Sequence, residues 1–219
     1  PVDVVCAPEV VGIACHESVG HPYEADRILG REAAQAGESF LSPEDIGMRI
    51  GSEAATVVDD PTLEGSAGYY LYDDEGVQAR RKMLMTNGVV TEFLHNRETG
   101  AATGMKSNGA SRATAYNREP IVRMANTFME PGDMSFEELI EDVETGVYIR
   151  NFTEWNIDDR RFNQRYRGFE AYSIAHGELG APVRDPTIEM TTTGLYGAVD
   201  AIGDDLRFWG ATCGKGDPQ

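Results

Sequence analysis

The residues best placed for metal or proton chemistry gather in one short stretch, ACHESVGH, which carries His16, Glu17 and His21. Imidazole nitrogens are zinc ligands, and a carboxylate beside them can take a proton from water. Histidines four apart on a helix lie about 40° from each other around the axis and can share an ion. His16 and His21 are five apart, which a regular helix splays by about 140°. Two backbones restore the pair. A π-bulge opens the turn so that positions five apart face the same way, and Gly20 eases it. Alternatively, the helix ends near Gly20 and His21 folds back from a loop. In both, Glu17 is placed to act as a general base.

A catalytic zinc site needs a third protein ligand and keeps one position for water. Glu24, Asp26, Cys15, His95, His176 and Cys213 are the available donors. Pro22 redirects the chain before Glu24. Cys15 points about 100° away from His16 around a helix. Cys213 lies in ATCGKG, a polar, glycine-flanked setting that a buried structural cysteine would not choose. Cys213 is preferred, with the acids not far behind. The competing view is that histidines are more often surface or core residues than ligands. Two of only four histidines within six positions, beside a glutamate, weigh against it. His95 and His176 read as ordinary surface residues, and Cys6 and Cys15 as core fillers.

These residues must be held by elements the rest of the chain supplies. Pro8 to Gly20 reads as a helix, with Pro8 in the first turn and Glu9 at its positive end. Gly20 and Pro22 mark its end or a distortion. ATVVDD reads as a short strand, GYYLYDDEG as strand then turn. RKMLMTNGVVTEFLHN reads as a hairpin about Asn87-Gly88, a type I′ turn pair. Residues 99–118 read as a long polar loop. PIVRMANTFMEPG is a strand ending in a turn. SFEELIEDVETG is a helix with a Ser135–Glu138 capping box and a stop at Gly146. The remainder is β-rich, with a short helix through Leu195, Val199, Ile202 and Leu206. The fold class expected is α+β with mainly antiparallel sheet, since nothing alternates β and α regularly.

Composition narrows the partners. Apolar residues make up 41%, a globular content, and 37 acidic residues face 19 basic ones for a net charge of −18. Such a surface repels phosphate backbones and anionic membranes, so direct nucleic-acid or membrane binding is not expected. Three lysines (Lys82, Lys106, Lys215) stand against 16 arginines, the rest of the 19 basic residues. Acid-rich, lysine-poor chains suit concentrated salt, where repulsion is screened. A merely acidic cytosolic protein has the same balance. No secretory signal or membrane span is visible, and three cysteines cannot all pair, which points to a reducing, cytoplasmic setting.

HESVGHPYEAD, followed by VVDDPTLEGSAGYYLYDDEG, NTFMEPGDMSFEELIEDVETGVY and a closing CGKG, resembles the TldD/PmbA family of metalloproteases over essentially the whole chain. The resemblance implies that residues 1–219 are a C-terminal metalloprotease domain, without the N-terminal domain and last segment of similar proteins. It implies Zn2+ held by His16, His21 and Cys213, with Glu17 as catalytic base. It further implies an endopeptidase acting on unfolded or extended peptides with low side-chain specificity, in a homo- or hetero-dimer with a related subunit. Three rivals stand beside it: a structural zinc module closed by Glu24 or Asp26, a hydrolase using Cys213 with a histidine, and a non-catalytic half of a heterodimer.

Overall fold

The computed structural model describes residues 2–31 and 37–215. The chain opens with β1 (Asp3–Cys6), then α1 (Pro8–Cys15), a π-helical turn (His16–Gly20) and α2 (Ala25–Ile28). After a 3₁₀ turn at Pro43–Asp45 come β2 (Val57–Asp59), β3 (Lys82–Thr86), β4 (Val89–Val90) and α3 (Arg97–Thr103). Next are β5 (Ser111–Arg112), β6 (Ile121–Val122), β7 (Thr127–Met129) and α4 (Phe136–Glu141). Five longer strands follow: β8 (Thr145–Ile149), β9 (Phe152–Ile157), β10 (Asn163–Gly168), β11 (Ala171–Ala175) and β12 (Glu178–Pro182). β13 (Thr187–Thr191) and α5 (Thr192–Gly197) complete the regular structure.

The sheets run β1-β8-β11-β12, β13-β10-β9, β4-β3-β2-β7 and the small pair β5-β6. All ladders are antiparallel except β1 with β8. This is the α+β, mainly antiparallel class expected from the sequence.

Two apolar clusters meet along α1. Val10 packs with Ile149 and Ala171 of the first sheet. Cys15, Val19 and Tyr23 enter the main core with Val57, Leu84, Met85, Val90 and Tyr196. The first helix is therefore clamped on two sides, and its distorted end is buried rather than frayed.

Several local readings hold and several shift. The Asn87-Gly88 turn joins β3 to β4 with both residues at positive φ, 48° and 75°, as a type I′ turn requires. Gly88 is also needed for space, since a Cβ there would meet the Gly51 carbonyl oxygen at 2.1 Å. The Ser135–Glu138 capping box is present, but α4 ends at Glu141 and Gly146 lies inside β8. Ile140 and Val143 turn into an apolar cluster with Ile174, so burial overrides the glycine stop. Residues 99–118 are not one loop. Asn96 caps α3 by accepting from Thr99 N, and Ser111–Arg112 form β5. The cap, Asn96, lies outside the glycine- and alanine-rich window that reads as a loop;. PIVRMANTFMEPG is split into β6 and β7, because the Ala125 N–H turns to bond Asp59 Oδ1 at 2.6 Å. GYYLYDDEG forms a turn with a single bridge, Tyr72 to Gln78, rather than a strand. The Asp73 carboxylate takes up the backbone N–H groups of Glu75 and Val77 there. The short C-terminal helix is confined to α5, with only Leu195 of its expected apolar set inside.

Candidate metal centre

The helix through the histidine motif is irregular where the spacing required it. α1 ends at Cys15 and His16–Gly20 forms a π-helical turn, closed by a His21 N–H to His16 C=O bond of 3.1 Å, an i to i+5 pairing. Two neighbours favour it. The Ser18 hydroxyl donates back to the Ala14 carbonyl and pairs with the Tyr196 hydroxyl at 2.9 Å; such back-bonding bends helices. Gly20 lies so close to β7 and its approach that a Cβ would meet Met124 Sδ at 2.6 Å. The turn brings the two imidazoles edge to face, with ring centroids 4.6 Å apart.

Cys213 completes the cluster from the far end of the chain. Its Sγ lies 3.1 Å from His21 Nε2, and one donor atom each from His16, His21 and Cys213 lie within 4.8 Å of one another. Zinc bonds of about 2.0–2.3 Å put neighbouring ligands of a tetrahedral site roughly 3.5 Å apart, so the donor set fits that ion in scale and chemistry. Burial by itself would raise the Cys213 thiol, but hydrogen bonds from His16 and His21 bring it down to about 5. Cys6 and Cys15 show the opposite, with burial pushing both up to about 12. One thiol of three is thus set as a thiolate, the form that binds metals.

The other proposed donors lie elsewhere. Glu24 is fully buried and behind His21: its Oε2 meets His21 Nδ1 at 3.3 Å, Arg27 Nε at 2.6 Å and Lys215 Nζ at 3.0 Å. This is the carboxylate-to-histidine support common around metal ligands, which fixes the tautomer and aims the other nitrogen. Burial would raise the Glu24 carboxyl, but Lys215, the His21 bond and Arg27 hold it well below the ordinary range. Asp26 meets Lys215 Nζ at 2.6 Å. Both acids are committed to cations rather than turned toward the His16–His21–Cys213 cluster. His95 is a correction: it is 4% exposed, not a surface residue. Its Nδ1 faces the Thr99 hydroxyl at 3.2 Å, and burial lowers its pKa. His176 is exposed beside Glu144.

Glu17 is buried beside His16, its Oε1 3.8 Å from His16 Nε2. Its oxygens are engaged by two residues absent from the sequence reading. Trp155 Nε1 donates to Oε1 at 3.0 Å, and Arg161 forms a buried ion pair with Oε2. Arg161 sits in the turn between β9 and β10 at φ 60°, a strained backbone for a bulky residue. Asp158 organises that turn by accepting from Phe162 N and Asn163 N. Nothing local in the sequence ties residues 155 and 161 to Glu17, and only the packed sheet shows it.

Two imidazoles and a thiol drawn together at the π-turn, with a carboxylate beside them, have the donor chemistry of a metal site. Over residues 1–216 the chain matches the family described as PmbA/TldA metallopeptidase C-terminal domain, and it belongs to that family. It is 40% identical over 213 residues to a metalloprotease of Methanothermobacter thermautotrophicus, covering 97% of this chain and 45% of that protein. It is 32% identical to the zinc metalloprotease TldD homolog of Saccharolobus solfataricus, covering 97% of this chain and 46% of that one. The chain thus spans about half the length of the curated relatives it matches. Its fold is that of a Thermotoga maritima protein provisionally described as a modulator of a DNA gyrase (TM-score 0.80, 23% identity, 94% of this chain, 46% of that chain). TldE from Thermococcus kodakarensis shares it too (TM-score 0.76, 20% identity, 93% and 45%). Among the described residues no helix is long and apolar enough to cross a membrane.

Proposed function

We propose that this chain carries the catalytic centre of a zinc-dependent endopeptidase. The convergence of His16, His21 and Cys213 through the π-turn carries the reading, and the metalloprotease names of the relatives support it. A bound zinc ion supplies Lewis acidity toward a carbonyl oxygen and acidifies water. Glu17 accepts the proton of the attacking water and returns it to the leaving amine. Trp155 and Arg161 hold the Glu17 carboxylate in place, and Glu24 holds His21. β9 is an edge strand of its sheet and carries Trp155 toward Glu17. An unfolded peptide added along that edge by main-chain bonds is read with little side-chain selection. The three free thiols suit a cytoplasmic protein, and the family pattern suits pairing with a related subunit.

The close Cys213–His21 pair also favours a second reading, a cysteine hydrolase with Cys213 as nucleophile. Chelation separates the two, because it abolishes zinc-dependent cleavage and spares a thiol enzyme. For the zinc reading, metal analysis gives one zinc per chain in the wild type and none in Cys213→Ala. Glu17→Ala keeps the zinc and loses about 10²- to 10⁴-fold in peptide cleavage. A fully active Glu17→Ala protein overturns the mechanism.

A further inference from the structure

The thiol arrives at the centre on a segment with no ladder to hold it. Residues 207–215 belong to no helix or strand, whereas His16 and His21 stand on a turn packed into the core. Phe208 of this segment packs on Phe128, and among the described residues two side-chain attachments hold the chain at Cys213 itself. Arg123 donates to the Cys213 carbonyl. Two residues on, the Lys215 ammonium is buried: it donates to Asp26 Oδ1 at 2.6 Å and Val122 O at 2.7 Å, and Glu24 Oε2 pairs with its charge at 3.0 Å. Two hydrogen bonds and two carboxylates thus compensate the buried charge.

We propose that Lys215 is a positioning residue for the metal centre: its docking between Glu24 and Asp26 pins the closing loop and delivers Cys213 to a histidine pair that is already formed. The inference rests on the zinc reading, and it ties two ligands to one group, because Glu24 Oε2 bonds both Lys215 Nζ and His21 Nδ1. The same ammonium therefore sets the carboxylate that orients His21 and the loop that carries Cys213. A lysine suits the place better than an arginine, whose planar fork does not converge on three oxygens arranged around one point.

The test uses the chain in metal-free and zinc-loaded forms, with Lys215→Met and the double variant Asp26→Asn/Lys215→Met. The double variant removes a carboxylate together with the ammonium and lowers the buried charge imbalance, separating loop release from general destabilisation. In the metal-free chain above about pH 9.0, where a released Cys213 is ionised as the docked one is, mass-resolved alkylation of Cys213 speeds up about tenfold or more in both variants, the equivalent of one lost charge-assisted hydrogen bond. Cys6 and Cys15 keep their wild-type rates. Zinc affinity by chelator competition falls roughly 10- to 100-fold in both, the usual effect of losing support behind ligands. Unchanged Cys213 alkylation and zinc affinity in both variants overturn the proposal, as does a uniform rise at all three cysteines in the double variant. A wild-type chain that binds no zinc while Lys215→Met selectively frees Cys213 defeats the zinc reading and upholds the pin.

Discussion

The chain buries two of its three lysines, and the two burials differ in kind. Lys82 lies in β3 and meets Asp59 of β2 at 3.2 Å, both fully buried. Asp59 also accepts from Ala125 N at 2.6 Å and the Thr127 hydroxyl at 3.1 Å. That pair sits among strands already held by ladders β2-β3 and β2-β7. Lys215 lies in a segment without ladder, and its partners belong to another part of the chain. A buried ion pair inside a sheet adds to a structure that the backbone specifies. The same pair at the end of a coil decides where the coil goes. Burial and pairing therefore do not by themselves mark function; what else holds the two ends does.

The largest expected effect breaks the sheet pair. Lys82→Met leaves Asp59 charged and buried without its cation and costs about 3–5 kcal/mol of stability in denaturant unfolding. Zinc affinity of the folded fraction is unchanged, and a large loss of zinc there would erase the contrast with Lys215. Next comes the site pair. Glu24→Gln keeps the shape but removes the anion shared by His21, Arg27 and Lys215, and zinc affinity falls roughly 10- to 100-fold. Gly20→Ala has a smaller effect, about 1 kcal/mol, because its Cβ presses on the movable end of Met124 and such overpacking is only partly relieved. Its readout is the thermal midpoint.

The finest test sets the thiols side by side. In the metal-free chain, alkylation of Cys213 follows a titration with a midpoint of about 5. Cys6 and Cys15, raised to about 12, stay inert at neutral pH. The folded pKa of Cys213 lies below its ordinary 9.0. Its contribution to stability is thus full above about 9.0 and is lost as pH falls through about 5;. A Cys213 midpoint near 9 would mean that the histidines do not face the thiol in solution.

Local signals were legible where one residue's chemistry settles the backbone. Asn87-Gly88 turns because both residues tolerate positive φ, and Ser135 with Glu138 caps a helix whatever surrounds them. Signals failed where burial outbid them. Gly146 reads as a helix stop but serves as a strand residue against Asp3. His95 reads as a hairpin surface residue because the helix that carries its partner Thr99, and the folding back of the segment with Asn108, leave no mark in the sequence.

By itself the sequence determined the two histidines, the glutamate between them and the demand that the backbone there could not be a regular helix. Helical periodicity is a local property, and five residues against 3.6 per turn leaves a regular helix no way to share an ion. Only the tertiary structure decided which distortion was used, and it chose the π-turn that Ser18, Tyr196 and Met124 pack around. It also decided that Cys213 arrives from 192 residues away, that Trp155 and Arg161 hold Glu17, and that Lys215 reaches Glu24 and Asp26. Those contacts close over long stretches of chain through side chains alone, and no spacing in the sequence encodes them.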